Sequence, residues 1–384
     1  MNDRRPYDGR TTQLSDKAER DAGQITSRAD QPVSMTPASG APQPAYRSQT
    51  KRLVGGALLV LGVLLCTSVF SRNLGLPNIG GFVEQTVVIS NSYAGSRLAL
   101  DARSGSVTLV RGADNTITIE QTKHGFGWSR AAARRDAEDF QPLISQSGDT
   151  ITLSEPSQNN LTLFNRAARS DYRITLPSAA IVRASTASGS IDGRALDGQF
   201  NLSTSSGDVR LSDIAGTLTV EVGSGSISVR KSSLGQVQLE SGSGDIQVDG
   251  VQAELHANSD SGSITVADLH DMSLNLDSGS GNIDVRNAAA AAFDLQASSG
   301  SIHFEGSLAG SGVHRARTSS GDLTVTLPQD AGFQLEAQTD SGTIDLPGGW
   351  NLPGQNEARA GQIGSGGPSL QLDTSSGDID LARR

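Results

Sequence analysis

Residues 203–249 read STSSGDVRLSDIAGTLTVEVGSGSISVRKSSLGQVQLESGSGDIQVD. Three times in this stretch a Ser-Gly pair is followed by a small polar residue and then by aliphatics at every second position. The three are Ser206-Gly207-Asp208-Val209-Arg210-Leu211, Ser224-Gly225-Ser226-Ile227-Ser228-Val229 and Ser243-Gly244-Asp245-Ile246-Gln247-Val248. Period-two alternation marks strands with one buried face. The Ser-Gly pair between two such runs marks a turn.

In both directions along the chain the same unit recurs. Its glycines are Gly189, Gly207, Gly225, Gly244, Gly262, Gly281, Gly300, Gly321, Gly342 and Gly377, spaced by 18, 18, 19, 18, 19, 19, 21, 21 and 35 residues. Ser precedes every one, and an aliphatic stands two residues after each, from Ile191 to Ile379. Four residues after, nine of the ten are again apolar, with Gly193 the exception. Before the turns stand alternating pairs such as Leu218/Val220, Val237/Leu239, Leu274/Leu276 and Phe293/Leu295. A unit of 18–19 residues cannot bury its own apolar face, but stacked units can. The fold class is therefore all-β: a β-solenoid of about ten coils over residues 181–384, each coil a strand, a Ser-Gly turn and a second strand. The turn glycines are expected to supply backbone conformations that side chains disfavour. The Ser and Asp residues beside them are expected to satisfy turn amides. Residues 347–368, rich in Gly and Pro, read as a loop inserted before the final coil.

Composition agrees with a thin aliphatic core. Of 384 residues, 35% are hydrophobic but only 4% aromatic, and Gly numbers 44. The single cysteine, Cys66, excludes a disulfide scaffold and cysteine-rich zinc sites.

Residues 83–180 read as the same material, less regular. Val87-Val88-Ile89, Leu98 to Val110 and Thr116 to Glu120 alternate as strands. Ser104-Gly105-Ser106-Val107 is a repeat turn, and Ser147-Gly148-Asp149 reads as another. Ser129 to Phe140, Ala-rich and charged on one side, is the one expected helix of this part, capping or flanking the first coil.

Upstream, residues 1–52 are polar and Pro-rich, without apolar period, and read as a disordered tail. Leu53 to Ser71 carries no charge, LVGGALLVLGVLLCTSVFS, and is just long enough to span a bilayer as a helix. Arg47, Lys51 and Arg52 precede it and only Arg72 follows closely, which places the tail in the cytoplasm and residues 83–384 outside, beyond a 72–82 linker. A cleaved signal peptide is the rival reading. The 50-residue leader and the lack of a small-x-small site after the apolar run stand against it. Residues 1–52 hold 9 basic and 6 acidic side chains, and the rest of the chain 22 and 35. So acidic an exported part is a poor partner for nucleic acid.

The order of these elements resembles the bacterial putative-adhesin family of β-strand-repeat proteins, a domain of unknown function. The likeness covers about residues 83–384: strand, Ser-Gly turn, strand, short charged helix, a Gly-Asp-Thr-Ile strand, an Ile-Thr-Leu-Pro strand, then Ser-Gly-Asp/Ser-Ile repeats. It implies adhesion or cell-envelope work and brings no catalytic residues with it.

Motifs for chemistry are absent: no Gly-x-Ser-x-Gly elbow, no phosphate loop, no Gly-x-Gly-x-x-Gly fingerprint. His124, His256, His270, His303 and His314 lack zinc-protease spacing, and most of them read as surface residues. Three residues after each turn glycine an outward column runs through Arg210, Asp284 and His303. Stacking makes Asp284 and His303 vertical neighbours about 5 Å apart. An acid beside an imidazole can move a proton, while the plainer reading is one favourable surface pair. The turn carboxylates are too few at a fixed position for a calcium shell in each coil. The expectation is a non-enzymatic chain without metal or other cofactor: a membrane-anchored, extracytoplasmic binding, adhesin-like or spacer module of the envelope of a bacterium. Its partners are then the inner membrane and an envelope protein or polymer. Two alternatives stay open: a component of an envelope stress or signalling system acting through the tail, and a carbohydrate-active enzyme on a β-helix. Sugar sites call for aromatic platforms, and the only tryptophans, Trp128 and Trp350, lie outside the regular coils.

Overall fold

A computed structural model describes residues 83–156, 168–270, 272–350 and 352–384. The tail, anchor and linker read at 1–52, 53–71 and 72–82 lie outside the described residues. Among the described residues no helix is long and apolar enough to cross a membrane.

Each regular coil gives one strand to each of two sheets. Asp197–Thr204 belongs to sheet B and Val209–Ser212 to sheet A, with the Ser-Ser-Gly turn between them. Neighbouring coils pair in parallel and in register. In sheet A, Ile191, Val209, Ile227, Ile246, Ile264, Ile283, Ile302 and Leu323 form one column. In sheet B, Phe200, Leu218, Val237, Leu255, Leu274 and Phe293 form another. All are buried, and each fully covered Val, Leu or Ile contributes about 1.5–3 kcal/mol. Two residues further on, the inward column of Leu109, Leu211 and Val229 skips a side chain at Gly193: an added Cβ would stand 2.7 Å from Leu211 Cδ2 and 3.1 Å from Leu196 Cδ1, so these neighbours already fill the space.

The turn glycines serve a different purpose from the expected one. None of the ten is left-handed. Instead, a Cβ at Gly207, Gly225, Gly244, Gly262 or Gly281 would stand 1.9–2.1 Å from the carbonyl oxygen of the turn glycine one coil before. Glycine is required by close stacking of backbone on backbone. Left-handed backbone occurs at the second turn, at Ala195, Asp213, Lys231, Gly250, Asp268 and Asn287, and only one of these is glycine.

A buried hydroxyl column, unread in the sequence, lies three residues before the turn glycine. Ser259 Oγ accepts from the Gly262 N–H at 2.9 Å and donates to the Gly244 carbonyl at 3.2 Å. Ser278 does the same for Gly281 (3.0 Å) and Gly262 (3.1 Å). Thr204, Thr318 and Thr374 donate likewise to Gly189, Gly300 and Gly321. Both serines are 0% exposed, so their loss strands two backbone groups away from water. Ser278→Ala is expected to cost about 1–3 kcal/mol in denaturant unfolding. A cost below a few tenths would show that the column is ornamental.

A second ladder joins the residues after the glycines. The backbone N–H of Ser226 donates to Asp208 Oδ1, Ser263 to Asp245 Oδ1, Ser301 to Asn282 Oδ1 and Thr343 to Asp378 Oδ1, all at 2.8–2.9 Å.

The stack departs from chain order at both ends. The first strands are β1 (Val83–Ala94), β2 (Arg97–Ala102), β3 (Val107–Arg111) and β4 (Thr116–Gly127). Helix α1 (Arg130–Asp139) follows, then β5 (Leu143–Ser147), β6 (Thr150–Ser154) and β7 (Arg169–Leu176). β2 lies between β6 and Ala180–Thr186, and β3 between β7 and Ile191–Arg194, so the coil made earlier is covered by the later one. At the far end the last coil is inserted: Ser369–Thr374 lies between Val313–Thr318 and Phe333–Thr339. Likewise Ile379–Arg383 pairs with both Leu323–Leu327 and Ile344–Asp345.

Antiparallel strands finish the ends. β4 pairs antiparallel with β7 and with β1, and β5 with β6. Ser147-Gly148-Asp149 is thus the turn of the β5–β6 hairpin rather than a coil turn, with Gly148 left-handed at φ 59°. The segment read as a loop at 347–368 holds strand Ala358–Ile363, which covers the outer edge of Phe333–Thr339. β1 and Ile344–Asp345 form the two ends of sheet A, which does not close into a barrel. Ser129 caps α1, its Oγ accepting from the Ala132 N–H at 3.2 Å. Ala133 and Ala137 lie on Gly125 and Gly127, where a Cβ would meet the helix at 2.1–2.7 Å.

Candidate functional site

Because inward positions are spent on the core, chemistry is left to the outer strand faces. In sheet A the residues three and five after the turn glycine point out, and over three consecutive coils they bring Arg194, Arg210 and Arg230 together. With Thr108, Asp192 and Gln247 these line an open groove of about 580 Å³. Arg210 is held by Asp208 and stands 4.0 Å from Asp192, and Arg194 lies 3.7 Å from Asp213. The side chains are well exposed, so these pairs orient the guanidinium groups more than they stabilise the fold. Guanidinium forks alternating with carboxylates and hydroxyls suit an extended, polar, partly charged chain lying across the strands.

Asp284 and His303 are register partners, as the column predicts. Their proximity does not make an acid–imidazole pair, since Asp284 is taken by Arg286, whose Nε donates to Oδ1 at 3.0 Å. The ten turn glycines lie along one edge of the stack and have a packing role. Among the described residues no group of three or more His, Cys, Asp or Glu is placed to hold a metal ion.

Two histidines depart from the surface reading. His124 sits between carboxylates, Nδ1 2.7 Å from Glu84 Oε1 and Nε2 2.9 Å from Asp171 Oδ2, with its side chain 13% exposed. His314 is wholly buried in the sheet B column, beside Phe293 at 5.2 Å between ring centres. Its Nε2 lies 3.3 Å from the Ala309 carbonyl, and Nδ1 has no partner. Alternation places position 314 inward, which the sequence pattern already signalled.

Burial pushes the His314 imidazole below its ordinary value of 6.5, an effect the Ala309 carbonyl partly offsets. A histidine kept neutral by folding binds its proton more readily when unfolded. Its contribution is therefore complete above about pH 7, and stability declines as pH falls through 6.5 toward the lowered folded value. The slope is at most about 1.4 kcal/mol per pH unit. His314→Leu should flatten the acid side of a melting-temperature profile between about pH 7 and 5. An unchanged slope in the variant would assign the effect to other groups.

A buried polar network lies at the β6–β7 end. Tyr172 donates its hydroxyl proton to Glu155 Oε1 at 2.8 Å, the Arg103 N–H donates to Oε2 at 2.6 Å, and Gln121 Nε2 donates to Ser170 Oγ at 2.8 Å. Burial pushes the Glu155 carboxyl up against the opposing pull of these donors. Burial, then the neighbouring carboxylate, pushes the Tyr172 hydroxyl up. Sequence reasoning missed this group, because each residue stands alone in its own segment.

The fold and these faces define a parallel β-solenoid repeat protein whose polar groups are displayed on open strands. The chain belongs to the Toastrack DUF4097 family, whose model matches residues 96–314 and 215–382. No curated protein matches the chain. Three solved structures are similar to it. A putative cell adhesion protein from Clostridium sporogenes is 15% identical, over 79% of this chain and 100% of that one, with a TM-score of 0.18. A putative adhesin from Bacteroides fragilis is 9% identical, over 77% and 97%, at 0.28. A putative lipid binding protein from Parabacteroides distasonis is 14% identical, over 78% and 96%, at 0.36. At these scores the shapes do not superpose as wholes, and the functional reading below does not rest on them.

Proposed function

We propose that the chain is a non-catalytic binding module of the bacterial envelope, tethered by residues 53–71 in the inner membrane, with its coils on the extracytoplasmic side. The observation that carries this reading is the sheet A groove, where Arg194, Arg210 and Arg230 stand on strands locked in register by the core. A rigid, open groove with an aliphatic floor and a rim of guanidinium and carboxylate groups suits an extended envelope protein or polymer better than a small molecule, which is usually held in an enclosed pocket. The tether rests on the uncharged run and the positive residues before it.

Two measurements test the two halves of the proposal. Carbonate washing of membranes should leave the full chain in the pellet, and protease added from outside should remove residues 83–384. Release by carbonate would refute the tether. For the binding half, full-length chain in nanodiscs should retain purified envelope fragments, and Arg194→Glu/Arg210→Glu/Arg230→Glu should weaken retention about 10-fold or more with an unchanged melt. Equal retention by the variant would remove the groove from the function.

A further inference from the structure

Among the described residues, three of the four sheet ends are protected. Sheet A finishes at the far end in Ile344–Asp345, a strand of two residues. Sheet B finishes there in Ala358–Ile363, onto which Gly354–Gln355 folds back. Its other end is β5, five residues long. Short or folded-back edges offer little backbone to a passing strand. β1 is different. It pairs along all twelve residues with β4, without a register shift, and with no other strand among the described residues. It contains no Pro, Gly or Lys, and its one charged side chain, Glu84, is already held by His124. Its inner face is only partly covered: Val83, Gln85, Val87, Ile89, Asn91 and Tyr93 continue the face of Ile117 and Ile119, and while α1 packs against the strand and leaves Val83, Gln85, Val87 and Tyr93 half-buried, Asn91 is exposed and Ile89 is 37% exposed. On the opposite face Val88 is 66% exposed.

We propose that β1 is a homodimer edge: a second copy of this chain adds its own β1 antiparallel to the first, giving one sheet through two molecules. The strand is complementary to itself. A two-fold axis normal to the sheet keeps each side chain on its own face. Centred on Val88, it sets Val88 opposite Val88, Val87 opposite Ile89 and Val83 opposite Tyr93. It also sets Gln85 opposite Asn91, Thr86 opposite Ser90 and Glu84 opposite Ser92. Apolar meets apolar, polar meets polar, and no like charges face each other, as favourable cross-strand pairs require. A strand made for an unrelated partner has no need of this symmetry. The chain before β1 adds a second argument, which rests on the tether reading. Val83 follows the uncharged 53–71 segment by only twelve residues, so copies anchored in one membrane hold their β1 strands at similar height and high local concentration.

The test uses full-length chain in detergent, so that a failure of the tether reading leaves the outcome intact. Sedimentation at micromolar concentration should show a dimer. Val88→Lys sets two ammonium groups directly opposite each other at a site that the single chain leaves open to water. It should weaken the dimer at least 10-fold without moving the circular dichroism spectrum. Independently, Val88→Cys in a Cys66→Ser background should cross-link through a disulfide or a short bifunctional maleimide. A monomeric wild type overturns the proposal. So does a dimer that Val88→Lys leaves intact, which would assign association to the anchor, or a Val88→Cys variant that forms no cross-link.

Discussion

Replacing Gly262 by alanine is expected to destabilise the solenoid by about 3 kcal/mol or more, at or above the upper end of what overpacking usually costs. The added methyl group would stand 2.1 Å from the Gly244 oxygen and 2.4 Å from its carbon, where carbon contacts prefer about 3.5–4 Å. Both atoms in the way are backbone and held in place: Ser259 Oγ donates to the Gly244 carbonyl at 3.2 Å, and the Ile246 N–H donates to the Ser263 carbonyl at 2.9 Å. Relief means lifting one coil from the next, which breaks the hydroxyl column and the turn ladder together. Because each coil touches only its neighbours, the damage should be local. Hydrogen exchange should show lost protection across the coils of Gly244, Gly262 and Gly281, and thermal unfolding should shift down by about 10 °C. The control is Lys231→Gly, at a left-handed position (φ 49°) where a side chain is strained. That change should be neutral or stabilise by up to about 1 kcal/mol. If the two variants behave alike, the glycine column is not set by contact between coils.

Ile264→Asp should have an effect of similar or greater size by another route. Ile264 is 0% exposed and lies between Ile246 and Ile283 in the sheet A column. The substitution removes about 2–3 kcal/mol of apolar burial. It also confronts a carboxyl group with neighbours that offer no hydrogen bond, a further cost of several kcal/mol even after the group takes up a proton. The expected total exceeds about 4 kcal/mol, whereas Ile264→Val should cost only about 0.5–1.5 kcal/mol. Denaturant unfolding of the pair measures both. An unchanged midpoint for the aspartate variant would mean that the column is not the core.

The two experiments separate what the repeat pattern encodes from what it leaves open. Alternation around Ile191, Val209 and Ile227 tells which side chains point inward, and the period of 18–19 residues tells that coils repeat. It does not tell which coil lies on which. Every coil presents similar columns of Ile, Val and Leu, so neighbours are nearly interchangeable on hydrophobic grounds. Insertion of Ser369–Thr374 between Val313–Thr318 and Phe333–Thr339 is therefore invisible in the pattern. The order there follows from the connection through 347–368 and from Ala358–Ile363, which covers the edge that would otherwise stay open. The same holds for β2 and β3, covered on one side by β6 and β7. The groove arginines were readable only in part: Arg210 stands in the outward column, but its meeting with Arg194 and Arg230 needs two different offsets from the turn on adjacent coils.

The sequence by itself determined the repeating unit, the inward columns, the aliphatic character of the core and the place of the one described helix, because side-chain alternation and turn chemistry are local. Only the tertiary structure decided why the turn residue is glycine, that hydroxyls three residues before it are buried rather than wet, how the two ends are arranged, and that β1 is the outer strand of sheet A among the described residues. Each of these depends on backbone from another coil arriving within a few ångströms, and no pattern within a single coil records that approach.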